Sequence, residues 1–65
     1  MTLGDILRLA REAKGLSTRE LAEMVGVSRS TIYNYESGSH EPRISHLKWL
    51  AEALDLSIME LIERI

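Results

Sequence analysis

The apolar positions of this 65-residue chain recur at helical spacing in five separate stretches, and the residues between them read as caps and turns. Leu3, Ile6, Leu7 and Ala10 make the first stripe, over residues 2–14. Thr2 stands as its N-cap, Asp5 lies in its first turn, Arg11 and Lys14 lie in its last turns, and Gly15 stops it. Leu16 precedes the next cap and can pack back as a staple. Leu21, Ala22 and Val25 form a second face over 18–25, and Ile32 with Tyr35 a third over 29–36. Ile44, Leu47, Leu50, Ala51 and Leu54 point inward from a fourth helix at 43–54, and Ile58, Leu61, Ile62 and Ile65 share one side of a last helix at 58–64. Apolar and polar residues nowhere alternate long enough to predict a strand. The pattern is that of a single all-α domain over residues 1–65.

Residues 18–37 carry the arrangement on which the rest is built. Ser17-Thr18-Arg19-Glu20 is a capping box, in which the serine hydroxyl accepts from the Glu20 amide and the Glu20 carboxylate returns to the Ser17 amide. Ala22 allows a crossing helix to approach closely, Gly26 supplies the positive φ of a tight turn, and Val27 fills the corner. Ser28 caps the following helix, and Ser37-Gly38-Ser39 ends it. Two short helices so hinged form a helix-turn-helix. The second turns Ile32 and Tyr35 inward and leaves Arg29, Ser30, Tyr33 and Asn34 outward, side chains able to touch base edges in a DNA groove. Pro42 sits ahead of the fourth helix, and Ser57-Ile58-Met59-Glu60 reads as a second capping box.

Composition narrows the function classes. A chain of this length buries only about 60% of the surface its unfolded form exposes and has no room for a large enclosed active site. It has no cysteine, so disulfides and thiolate metal sites are excluded. No apolar run approaches the length of a membrane span, and Asp5, Arg8, Arg11 and Glu12 occupy the region where a signal peptide would be apolar, so a cytoplasmic protein is expected, nucleoid-associated when bound to DNA. The net charge of −2 opposes phosphate binding, yet it is unevenly spread. Residues 1–50 hold seven Lys/Arg against six Asp/Glu, whereas residues 51–65 hold Arg64 against Glu52, Asp55, Glu60 and Glu63. An acidic C-terminal end turned away from DNA fits that asymmetry.

No catalytic constellation is present: the Ser, Asp and His residues form neither a nucleophile elbow nor an HExxH pattern, and an enzyme is not expected. His40 and His46 lack ligand partners at metal-site spacing, so both read as solvated histidines and neither metal nor cofactor is expected. Trp49 falls off the stripe of its helix and, with Met59, Ile62 and Ile65, marks a candidate homodimer surface, with folding over the core edge as the alternative for Trp49. For Ile62 and Ile65 core packing is an equal alternative.

REAKGLSTRELA at residues 11–22, VGVSRSTI at 25–32, Tyr35-Glu36-Ser37-Gly38, Pro42, and LKWLAEALDLSIMEL at 47–61 together resemble the Xre/Cro family of helix-turn-helix regulators. The resemblance implies a compact five-helix lambda-repressor-like DNA-binding domain whose third helix enters the major groove. It implies base readout by Arg29, Ser30, Tyr33 and Asn34, and phosphate contacts from Thr18, Arg19, Ser28, Ser39, His40 and Arg43. Arg11 and Glu36 are implied as a structural ion pair, with Ala22 and Gly26 holding the hinge. Thr18 stands where relatives usually have glutamine, and Ser39-His40-Glu41 where they commonly have basic residues. The implied function is a sequence-specific transcriptional regulator, most simply a repressor that binds a palindromic operator as a homodimer, with double-stranded DNA as its partner. The alternative is a protein-interaction module of the same fold, an antitoxin or anti-regulator, which the acidic balance and the weakly basic loop favour.

Overall fold

Five helices follow one another along the chain: α1 (Leu3–Ala13), α2 (Thr18–Val25), α3 (Arg29–Ser37), α4 (Ile44–Leu54) and α5 (Ile58–Ile62). The structure is a computed structural model that describes residues 1–64; Ile65 lies outside the described residues. Among these there is no strand, and no helix is long and apolar enough to cross a membrane.

Local chemistry sets the helix ends. Thr2 accepts from the Asp5 amide and Asp5 returns to the Thr2 amide, each at 3.1 Å, and Ser17 and Glu20 repeat the reciprocal arrangement at 3.0 and 2.8 Å. After α1 the Leu16 amide donates to the Arg11 carbonyl and the Gly15 amide to the Glu12 carbonyl, while Gly15 takes φ +70°, so the last turn is closed by backbone alone. Asp55 takes the same left-handed conformation, φ 57°, after α4, where glycine would be the usual choice. The expected second capping box is corrected: Ser57 precedes α5 without any side-chain cap hydrogen bond. Ile44 is also corrected from inward to outward. It is the first residue of α4 and 54% exposed, because the helix begins there and only from Leu47 onward does its inner face meet the core.

Leu7, Leu21, Ile32, Leu47, Leu50 and Leu61 are the fully buried centre, drawing one or two side chains from every helix. Leu16 and Val27, from the two interhelix turns, close its edges. Helix α3 packs chiefly against α2 and α1, and α5 against α4.

Two contacts join α1 to the end of α3. Gly4 is buried with its Cα facing the α3 backbone: a Cβ there would overlap the Glu36 carbonyl and stand 2.8 Å from the Tyr35 carbonyl oxygen. Two turns further on, the Arg11 guanidinium forms a two-point pair with the Glu36 carboxylate, Nε to Oε2 at 2.7 Å and Nη2 to Oε1 at 3.1 Å, and donates through Nη1 to the Leu16 carbonyl at 2.8 Å. Their side chains are only 12% and 9% exposed, and the hydrogen bond to Glu36 raises the Arg11 pKa further against the smaller opposing effect of burial. A third link is peripheral, Lys14 to Asp55 at 2.6 Å between the ends of α1 and α4.

Three outcomes are expected. Gly4→Ala destabilises the fold by about 1–3 kcal/mol in urea unfolding, since backbone rather than a movable side chain fills the space a methyl needs. Arg11→Ala costs about 3 kcal/mol by leaving a carboxylate unpaired, while the joint replacement Arg11→Met with Glu36→Leu costs less than Arg11→Ala alone. The third concerns acid. The Thr2 amide and hydroxyl hold the Asp5 carboxyl below its ordinary value, and the Ser17 amide and hydroxyl do the same for Glu20. A carboxyl depressed in the folded state stabilises that state above the unfolded pKa and ceases to do so as pH falls through the folded one. The urea midpoint should therefore drop on acidification below the ordinary carboxylate range, and Ser17→Ala should make that descent shallower.

Candidate nucleic-acid interface

Helix α3 has one face that cannot be moved and one that is free. Ile32 and Tyr35 are buried in the core, and their spacing fixes the rotation of the helix about its axis. The Tyr35 phenol ends beside α4, with Oη 2.7 Å from His46 Nδ1, and the imidazole in turn stacks on Trp49 with ring centroids 5.1 Å apart. Burial pushes the Tyr35 phenol pKa up, with Arg43 opposing it weakly. His46 is thus not the solvated histidine expected: it is half-buried and bridges the inner face of α3 to an aromatic ring of α4. Nothing in the sequence spacing marks that contact, since the two residues lie on different helices. His40 does lie exposed in the loop between α3 and α4.

On the opposite face Arg29, Ser30 and Tyr33 are exposed, Tyr33 to 65%, and Asn34 is half-exposed. Arg29 and Tyr33 stand one turn apart, as do Ser30 and Asn34, so the four make two adjacent rows. Their engagement differs. Among the described residues the side chains of Arg29, Tyr33 and Asn34 make no hydrogen bond or ion pair within the chain. Ser30 turns back, its hydroxyl 3.1 Å from that of Ser28.

Ser28 is itself occupied. Its hydroxyl accepts from the Thr31 amide at 3.1 Å and lies 2.8 Å from the Thr31 hydroxyl, so three hydroxyls gather at the first turn of α3. Thr31 was not singled out by sequence. Its one visible signal is that it stands three residues beyond the cap Ser28, where a hydroxyl can meet the capping hydroxyl. Backbone dipoles of α3 add partial positive charge at this end.

The remaining phosphate candidates flank α3 on two sides. Thr18 and Arg19 open α2, half-buried and exposed respectively. Ser39, His40 and Arg43 are exposed in the segment between α3 and α4. The Ser39 hydroxyl is 3.0 Å from that of Ser37, the His40 amide donates to the Asn34 carbonyl, and Arg43 is the residue just ahead of α4. Ala22 is buried beneath the hinge and Gly26 has φ +75°. Of the dimer candidates, Trp49, Met59 and Ile62 are exposed, Trp49 on the α2 side of α4 and the other two on α5, and Ile65 is not among the described residues. No group of three or more potential metal-ligating side chains occurs among the described residues.

A family profile described as helix-turn-helix matches residues 7–61. The chain is 38% identical over 60 residues to an HTH-type transcriptional regulatory protein of Methanocaldococcus jannaschii, covering 92% of this chain and 19% of that one. It is 37% identical over 62 residues to the HTH-type transcriptional regulator SlrR of Bacillus subtilis, covering 94% of this chain and 41% of that one. It therefore spans less than half the length of either relative. Among solved structures it is similar to the P22 c2 repressor in complex with a synthetic operator, with a TM-score of 0.90 at 31% identity over 94% of this chain and 92% of that one. It is similar also to SinR in complex with DNA, with a TM-score of 0.86 at 32% identity over 94% of this chain and 98% of that one. With five helices, the hinge at Gly26 and a match over most of its length, the chain belongs to the helix-turn-helix family in its Xre/Cro branch.

Proposed function

We propose that residues 1–65 act as one domain that reads double-stranded DNA for a transcriptional regulator, and that the regulator represses by occupying an operator. The observation that carries this reading is the two-faced character of α3: Ile32 and Tyr35 lock it from behind, while Arg29, Tyr33 and Asn34 project with no partner in the chain among the described residues. Arg29 suits the O6 and N7 acceptors of guanine, Asn34 the N6 and N7 edge of adenine, and Tyr33 a thymine methyl or a phosphate. Ser30 and Ser28, already turned toward each other, are better placed to meet a phosphate through their remaining hydrogen-bonding capacity. Arg19 and Arg43 supply the fixed positive charge on either side, with Thr18, Ser39 and His40 between them.

A homodimer supports this function physically. One short helix with a few base contacts and weakly basic flanks grips DNA loosely, and two copies across a palindrome bring two recognition helices into major grooves about 34 Å apart. Met59 and Ile62, exposed on α5, are the surface we assign to that pairing.

Selection of bound sites from random DNA should return a half-site repeated in inverted orientation with one helical turn between centres. Against that site Arg29→Ala should cost about 1–3 kcal/mol and relax preference at one base position, measured by gel-shift titration. Affinity should fall steeply as salt rises. Absence of binding even at low salt would favour the protein-interaction reading instead.

A further inference from the structure

Outside the face of α3, the surface has an open depression between two helices that DNA reading leaves unused. Between α2 and α4 lies an open groove of about 510 Å³, lined by Met24 of α2, by Gly26, and by Trp49 and Ala53 of α4. Met24 is 56% exposed and Trp49 47%, a thioether and an indole facing one hollow from two helices. The indole is not loose: it stacks on His46, which is hydrogen-bonded to buried Tyr35, so its ring is positioned before any partner arrives. Glu23 and Glu52 stand at the margins. Neither is in an ion pair among the described residues, and no Lys or Arg lines the groove.

We propose that this groove docks a cationic amphipathic helix of a partner protein, with its apolar stripe between Met24 and Trp49 and its Lys or Arg side chains over Glu23 and Glu52. The charge excludes the obvious competitors. Nucleic acid would bring phosphates against two unpaired carboxylates. A second copy of this chain offers no cationic amphipathic helix: α2, α3 and α4 each carry one Lys or Arg outside an ion pair among the described residues, Arg19, Arg29 and Lys48, and its C-terminal segment is acidic, with Glu60 and Glu63 before Arg64. Its most basic helix is already committed, Arg8 to Asp5, Arg11 to Glu36 and, just past the helix end, Lys14 to Asp55. The groove reaches Gly26, the hinge of the helix-turn-helix, so an occupant sits beside the turn that presents α3 without covering Arg29 or Tyr33.

Trp49 is the sole tryptophan, so its emission reads the groove directly. The probe is a synthetic peptide of leucine and lysine patterned at helical spacing, with a glutamate-for-lysine counterpart as its control. The lysine peptide should blue-shift Trp49 emission saturably. Glu23→Gln with Glu52→Gln should weaken its Kd about fivefold, and Met24→Ala should weaken it as well. The charge-matched pair Glu60→Gln with Glu63→Gln should leave Kd unchanged. Arg29→Ala should also leave it unchanged, which keeps this result separate from the fate of the DNA reading. The proposal is overturned if wild-type emission does not shift, if the glutamate peptide binds as well, or if the Glu60/Glu63 pair loses as much as the groove pair. A blue shift that follows the concentration of the chain alone would assign the groove to self-association and overturn it equally.

Discussion

The hold of α1 on the last turn of α3 is the constraint from which the rest follows. At Gly4 the two backbones come so close that no side chain fits between them, and at Arg11 a planar guanidinium grips the Glu36 carboxylate at two points while bonding the Leu16 carbonyl. Close contact fixes distance, and a two-point ion pair fixes angle. Together they leave α3 little freedom to tilt, and Ile32 and Tyr35 remove its freedom to roll. A helix five to ten residues long has almost no stability of its own, so α3 owes both its existence and its aim to these neighbours.

That division explains what the sequence reveals. Alternation within a helix is a local property, and so are caps: Thr2 with Asp5, Ser17 with Glu20 and Gly26 at its hinge are all legible within four residues. The all-α five-helix class and the helix-turn-helix were legible for the same reason. Gly4 was not, because a glycine inside a helix looks like poor propensity until the chain that crosses it, thirty residues away, is known. The Tyr35 to His46 hydrogen bond is hidden likewise. Ile44 and Ser57 show the reverse error, local patterns at helix starts that tertiary placement did not use, since an apolar first residue gains nothing where the core does not reach it. On the candidate site, the outward direction of Arg29, Tyr33 and Asn34 follows from periodicity alone, but the turning back of Ser30 toward Ser28 depends on rotamers no pattern encodes.

Charge organises the surface in a comparable way. The cations of α1 and the Lys14 that follows it stand beside carboxylates, Arg8 at Asp5, Arg11 at Glu36 and Lys14 at Asp55, so this basic stretch adds little net positive field. Among the described residues Arg19, Arg29 and Arg43, on or flanking α3, are in no ion pair. Glu23 and Glu52, without an ion pair among the described residues, lie at the α2–α4 groove, whereas Glu41 sits in the loop beside His40 and Arg43. A net charge of −2 therefore says little about any single surface of the molecule.

The hydroxyl cluster at Ser28, Ser30 and Thr31 has a consequence for how such a domain changes over time. The first turn of α3 is closed by its own side chains, its inner face by Ile32 and Tyr35, and its far end by Glu36 and Gly38. What remains, the side chains of Arg29, Tyr33 and Asn34, makes no hydrogen bond or ion pair within the chain among the described residues. Those three positions can be rewritten while the scaffold stays intact, so a new recognition surface is reachable by single substitutions that leave folding stability nearly untouched.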